Sequence, residues 1–144
     1  MKTIKQVSVF AENRAGGILS VIQALGDAQV DIRALSVADT QGFGILRLIV
    51  DNVAAAKEVL TANGTIFSIT EVVGVKVPDS PGGLSHVLSL MAEHAINVEY
   101  LYAFVSVSGS SAYVVLRVQD NEEAIRILTE GGVELISEDE IQAI

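Results

Sequence analysis

Two stretches of the sequence combine groups suited to holding a carboxylate. Residues 13–17 read Asn-Arg-Ala-Gly-Gly and residues 79–83 read Asp-Ser-Pro-Gly-Gly. Each sets a polar side chain, Asn13 or Asp79, three positions before a glycine pair. Glycine lets the backbone turn sharply and leaves no Cβ over the turn. A helix starting there offers unpaired N–H groups and the positive end of its dipole. A carboxylate docks on such groups without Lys or Arg. The same Gly-Gly also makes a tight strand-to-helix turn that binds nothing, and the local pattern alone favours that plainer role. Neither stretch fits G-x-G-x-x-G or a P-loop, so nucleotides are not indicated.

Other chemistry finds less support. There is no cysteine, which removes disulfides, thiolate metal sites and a thiol nucleophile. His86 and His94 lie about two helical turns apart, the wrong spacing for one metal ion. No G-x-S-x-G occurs, and no metal cluster or cofactor motif is found. We therefore expect no catalytic residue, no metal, no cofactor and no enzymatic activity. Eighteen acidic and nine basic residues give a net charge of −9. That argues against nucleic acid, which needs clustered Lys and Arg, and against an anionic membrane surface. No apolar run approaches the roughly 18 residues of a membrane span, and the first ten residues do not read as a signal peptide. A cytoplasmic location is the expectation.

The elements that must position these stretches repeat. An offset of 66 places Gly16 on Gly82, Gly17 on Gly83, Leu25 on Met91 and Ile32 on Val98. Downstream the offset grows to 69, placing Asp51 and Asn52 on Asp120 and Asn121, with the change falling in the Gly/Ser tract 106–111. A match that holds register through two elements and breaks at a turn marks a duplication. Residues 5–10 and 72–77 alternate and are rich in Val, as strands are. Leu84, Val87, Leu88, Met91, Ala92 and Ala95 fall on one helical face, as do Ile18, Ile22, Leu25 and Ala28. Strands at 32–38 and 44–50, and at 98–105 and 112–118, flank turns carrying Gly42 and Gly109. Second helices start after 51–52 and 120–121, good N-cap sites. They end at Asn63-Gly64 and Gly131-Gly132. Last strands follow at 66–70 and 133–136, and Ser137 with Glu140 reads as a capping box. Tyr100, Tyr102 and Phe104 share one strand face and are read as sheet packing.

The order βαββαβ, twice, predicts an α+β fold of two ferredoxin-like modules. Each is an antiparallel sheet with its helices on one face, in domains 1–70 and 71–144. The stretch from Val75 to Leu101, with its Asp-x-Pro-Gly loop, helix and small-residue, Asn, β-branched sequel, resembles the ACT domain. The first copy carries a Glu-Asn-Arg variant of it. The resemblance covers essentially the whole chain, as in stand-alone tandem ACT proteins related to acetolactate synthase small subunits. It implies a regulatory or sensor protein that binds a free amino acid between ACT units, against the first loop and the start of the second strand. The implied positions are Asn13, Arg14, Ala15, Gly16, Gly17 and Ile18 with Asp31 and Ile32. In the second copy they are Asp79, Ser80, Pro81, Gly82, Gly83 and Leu84 with Asn97 and Val98. Ala15 stands where Pro81 keeps the usual proline, and Asp31 where Asn97 keeps the usual amide, so the copies are expected to bind unequally. The expected partners are an amino acid, a second copy in a homodimer, and a separately encoded metabolic enzyme if the chain is its regulatory subunit. An assembly module with no ligand is the third alternative.

Overall fold

The computed structural model describes residues 2–40, 42–105, 109 and 111–144. The chain divides into two compact units, Lys5–Thr70 and Glu71–Ile144, the second including the N-terminal residues through Ile4.

The first unit is built from β1 (Ile4–Glu12), α1 (Gly17–Asp27), β2 (Ile32–Thr40), β3 (Phe43–Val50), α2 (Val53–Ala62) and the opening of β4 (Ile66–Pro78). β3 pairs antiparallel with both β1 and β2, in the order β2-β3-β1-β4. Alternate residues of a strand face opposite ways. Val7 and Val9 of β1 and Leu46, Leu48 and Val50 of β3 therefore share one face. Val21 and Leu25 of α1 and Ala56 and Leu60 of α2 close over them in one buried cluster. The second unit repeats the plan with the rest of β4, α3 (Gly83–Glu93), β5 (Tyr100–Ala103), β6 (Ser111–Arg117), α4 (Asn121–Glu130) and β7 (Glu134–Ile136). All its ladders are antiparallel, in the order β7-β4-β6-β5. Val87 and Met91 of α3 and Ala124, Ile127 and Leu128 of α4 pack on Val73, Val75, Val114 and Leu116. This is the α+β plan expected, two ferredoxin-like modules with helices on one face of an antiparallel sheet.

The caps follow the sequence signals. Asn52 accepts from Ala55 N–H and Asp120 from Glu123 N–H, each as the N-cap of its helix. Asn52 and Asp120 are thus the equivalent residues, at an offset of 68. The expected match of Asn52 to Asn121 was one position out. Gly64 (φ 70°) and Gly132 (φ 82°), also 68 apart, keep the same register past the C-caps. Ser137 caps α5 (Glu138–Ala143), whose Ile141 is fully buried. Two expected elements differ. The strands at 66–70 and 72–77 are a single strand, β4, because no glycine or proline turn separates them. β5 is confined to Tyr100–Ala103, half the expected span. The Gly/Ser turn expected at 106–111 lies, apart from Gly109 and Ser111, outside the described residues. Tyr102 and Phe104 are buried, with Tyr100 stacked on Tyr102 and Phe104 edge-on to Tyr113. They pack on the sheet as expected.

Candidate functional site

In each module the first strand must hand over to the first helix within a few residues. The glycine pair makes that possible by a division of labour. Gly16 (φ 83°) and Gly82 (φ 82°) are the N-caps of α1 and α3 in the left-handed region, with no side-chain cap. The next glycine is needed for space. A Cβ on Gly17 would stand 2.2 Å from the Glu12 carbonyl oxygen, and one on Gly83 2.2 Å from that of Pro78. Both loops therefore press the helix start onto the end of the strand. The Gly16 and Gly82 N–H groups find no acceptor among the described residues.

The two loops differ in what surrounds them. At the first, Asn13 Nδ2 donates to Asp39 Oδ1 at 3.0 Å. Arg14 folds back on Glu12 at 2.7 Å and donates to the Ala15 carbonyl at 3.3 Å. A cleft of about 130 Å³ remains, lined by Glu12, Asn13, Arg14 and Asp39 with Ala11, Ile18, Val37 and Gly44. At the second, Asp79 has no hydrogen-bond or ion-pair partner among the described residues. Residues 79–83 wall an open concavity of about 820 Å³ together with Lys76, Val77, His86, Ser111, Val133 and Glu134. β7 pairs with β4 only at Gly74, Val75 and Lys76, so the Val77–Pro78 edge fronts this space. His86 Nε2 donates to the Gly131 carbonyl at 3.1 Å. Lys76 lies over the Tyr113 ring, 5.6 Å from its centre, and reaches Glu134 at 3.4 Å and Glu140 at 3.5 Å. The electrostatic effect of Tyr113, then that of the Glu134 and Glu140 carboxylates, outweighs desolvation and raises the Lys76 ammonium above its usual 10.5, so it stays charged.

The strand-two residues lie elsewhere. Ile32 pairs with Val50, whereas Glu12 and Thr40 both pair with Phe43. Asp31 is thus at the end of its module opposite Asn13, roughly 23 Å away along the strands at about 3.3 Å per residue. Asn97 precedes Tyr100, which pairs with Arg117, while Pro78 pairs with Ser111. That puts it roughly 20 Å from Asp79 by the same rise. One amino acid cannot touch Asn13 and Asp31, or Asp79 and Asn97, of the same module. Asp31 is engaged locally: its N–H donates to Asp51 Oδ1 at 2.9 Å, and its carboxylate pairs with Arg33. Asn97 is exposed. Ile32, Leu84 and Val98 pack against the cores of their modules. Sequence reading missed Asp39, Lys76, His86 and Glu134. For His86 a signal existed, since it lies one turn into the helix that opens at Gly83. Lys76 too lies close in sequence, three residues before Asp79 on β4, whereas only the ladder register brings Asp39 and Glu134 to the loops.

Among the described residues no group of three or more metal-ligating side chains occurs, and no helix is long and apolar enough to cross a membrane. Residues 2–144 match the model of the ACT domain pair. The chain belongs to that family. It is 31% identical to protein BT0572 of Bacteroides thetaiotaomicron, over 99% of this chain and 98% of that one, with a TM-score of 0.91. The regulatory subunit of aspartate kinase from Thermus thermophilus, in its ligand-free form, shares the fold at 14% identity and a TM-score of 0.63. The match covers 91% of this chain and 93% of that one. The corresponding subunit from Thermus flavus aligns at 15% identity and a TM-score of 0.57, over 92% and 94%. No curated protein matches the chain.

Proposed function

We propose that this ACT domain pair is a non-catalytic regulatory protein that binds a free amino acid, and that its principal site is the concavity at residues 79–83. One observation carries the reading. The Gly82 N–H at the start of α3 and the Asp79 carboxylate, neither with a partner among the described residues, border the same 820 Å³ space. A donor at a helix start and an acceptor beside it match the two charged groups of an α-amino acid. With hydrogen bonds to charged groups worth about 1.5–3 kcal/mol each, the affinity is micromolar, about −8 kcal/mol. The smaller first cleft, its amide already bonded to Asp39, is the weaker site, so one ligand binds per chain.

The likeness in fold to a regulatory subunit of aspartate kinase, over nine-tenths of both chains, favours a second element of the reading. On it the chain acts on a separately encoded enzyme of amino-acid metabolism, in the cytoplasm, and as a homodimer. Exposed Leu35 (41%) and Val37 (47%) on edge strand β2 favour the dimer. The deciding measurement is a thermal-shift screen against the twenty amino acids, because a ligand bound only by the folded state raises its stability. A melting temperature unmoved by every one at millimolar concentration would sink the proposal.

A further inference from the structure

Taking the concavity at residues 79–83 as an α-amino-acid site, we infer that its ligand carries a cationic side chain on an aliphatic stem. The charge arrangement leads there. Lys76 is the sole Lys or Arg among the lining residues. Its ammonium already faces two carboxylates, Glu134 and Glu140. That end of the concavity therefore holds one negative charge more than it neutralises. Glu134 is the open one: 74% of its side chain is exposed, with Oε2 3.4 Å from the Lys76 ammonium. A carboxylate has several acceptor sites, so an exposed one beside a single ammonium can take a further donor.

The other acidic lining group adds to the excess. Asp79 is a carboxylate. His86 Nε2 sits 3.1 Å from a carbonyl oxygen, and since a carbonyl cannot donate, Nε2 carries the hydrogen. Between the loop and Glu134 the wall is apolar, formed by Val77 and Val133. A ligand seated with its carboxylate on the Gly82 N–H and its ammonium on Asp79 sends its side chain along that wall. Methylene groups suit the wall, and a terminal ammonium or guanidinium suits Glu134. An acidic side chain would bring a third carboxylate to one lysine. A plain hydrocarbon would leave the surplus charge as it is.

Calorimetry on the full chain at low ionic strength and pH 7 tests this, with L-lysine, L-arginine, L-norleucine and L-glutamate as probes. We expect lysine or arginine to bind about five- to tenfold tighter than norleucine, as suits an exposed ion pair at low salt, with glutamate weakest. In the Glu134→Gln variant the ratio of lysine or arginine to norleucine affinity should fall to near one. Asp79→Asn should weaken all four probes. Norleucine binding as tightly as both cations in the wild type, or a cation preference that survives Glu134→Gln, would overturn the inference and leave the amino-acid site standing. Failure of every amino acid to bind would overturn both.

Discussion

Replacing Gly83 by Ala sets two rules against each other. Gly83 is the first residue of α3, and in helices Ala is favoured over Gly by up to about 1 kcal/mol. On propensity alone the variant gains stability. The structure reverses the sign. The new Cβ would stand 2.2 Å from the Pro78 carbonyl oxygen and 3.2 Å from its carbon. An ordinary contact between carbon and oxygen is about 3.3 Å or more, so strand end and helix start must part by roughly an ångström. Both are backbone, and the Pro78 oxygen also accepts from Ser80 N–H at 2.9 Å, so no rotamer relieves the clash. Overpacking of this kind costs about 1–3 kcal/mol, occasionally more, and we expect a net loss of about 2 kcal/mol. With a urea slope of about 2 kcal/mol per molar, the midpoint falls by about 1 M. Gly26→Ala supplies the control: it lies in α1 with nothing within 4 Å of its would-be Cβ. It should gain up to about 1 kcal/mol. Urea unfolding followed by circular dichroism reads both. A Gly83→Ala protein as stable as wild type, or more so, would show that the loop yields and that tight strand-to-helix contact is not what the second glycine provides.

Further outcomes can be checked the same way. Gly82→Ala meets space rather than a wall, its nearest neighbour being Ser85 Oγ at 3.8 Å. Its penalty is the left-handed backbone, about 1–2 kcal/mol, less the entropy an Ala saves in the unfolded chain. It should therefore unfold at higher urea than Gly83→Ala. Ala95 follows α3 with φ 55° and no glycine to ease it, so Ala95→Gly should stabilise by up to about 1 kcal/mol in the same assay. The hydrogen bond from Arg126 holds the Glu123 carboxyl below its usual 4.5. A depressed carboxyl stabilises above its unfolded value, and the benefit fades as pH falls through the folded one. Stability measured from pH 5 downward should thus decline less steeply in Glu123→Gln than in wild type.

The fold was legible because its signals are local and mutually consistent. Period-3.6 apolar faces, Val-rich alternation, Asn52 and Asp120 as caps, and Gly64 and Gly132 past the helix ends all agree with one plan. The boundary between modules was harder. Residues 66–73 carry no glycine or proline to end a strand, and reading two strands there imposed a break that the backbone does not make. The loops were legible for their glycines. The companions were not, because the ladder register, not sequence proximity, brings Asp39 to Asn13 and Glu134 to Lys76. The same register separates Asp31 from Asn13. Loop and strand-two start lie at opposite ends of a module whose helix runs back along the sheet, which the order βαβ already required.

Register also explains why the copies have diverged as sites. An offset of 66 relates the loops and the strands that follow them, carrying Leu35 to Leu101 and Val37 to Ala103, and hence Asp39 to Val105. In the first module the loop amide of Asn13 meets the Asp39 carboxylate. In the second the loop side chain is itself the carboxylate, Asp79, and its opposite number is an exposed valine with nothing to donate. Each module thus sets a carboxylate beside its loop, Asp39 or Asp79, but only Asp79 has no partner among the described residues. Supplying the first arrangement to the second module should close it. In an Asp79→Asn and Val105→Asp double variant, the amide can donate to the new carboxylate as Asn13 does to Asp39. Amino-acid binding measured by calorimetry should then weaken by about tenfold or more, since a charge-assisted hydrogen bond to the ligand, worth about 1.5–3 kcal/mol, is lost. The Val105→Asp single variant, with Asp79 retained, has no amide to latch and should bind at least as well as wild type. If the double variant binds like the wild type, the Asn13–Asp39 bond is not what separates the two sites.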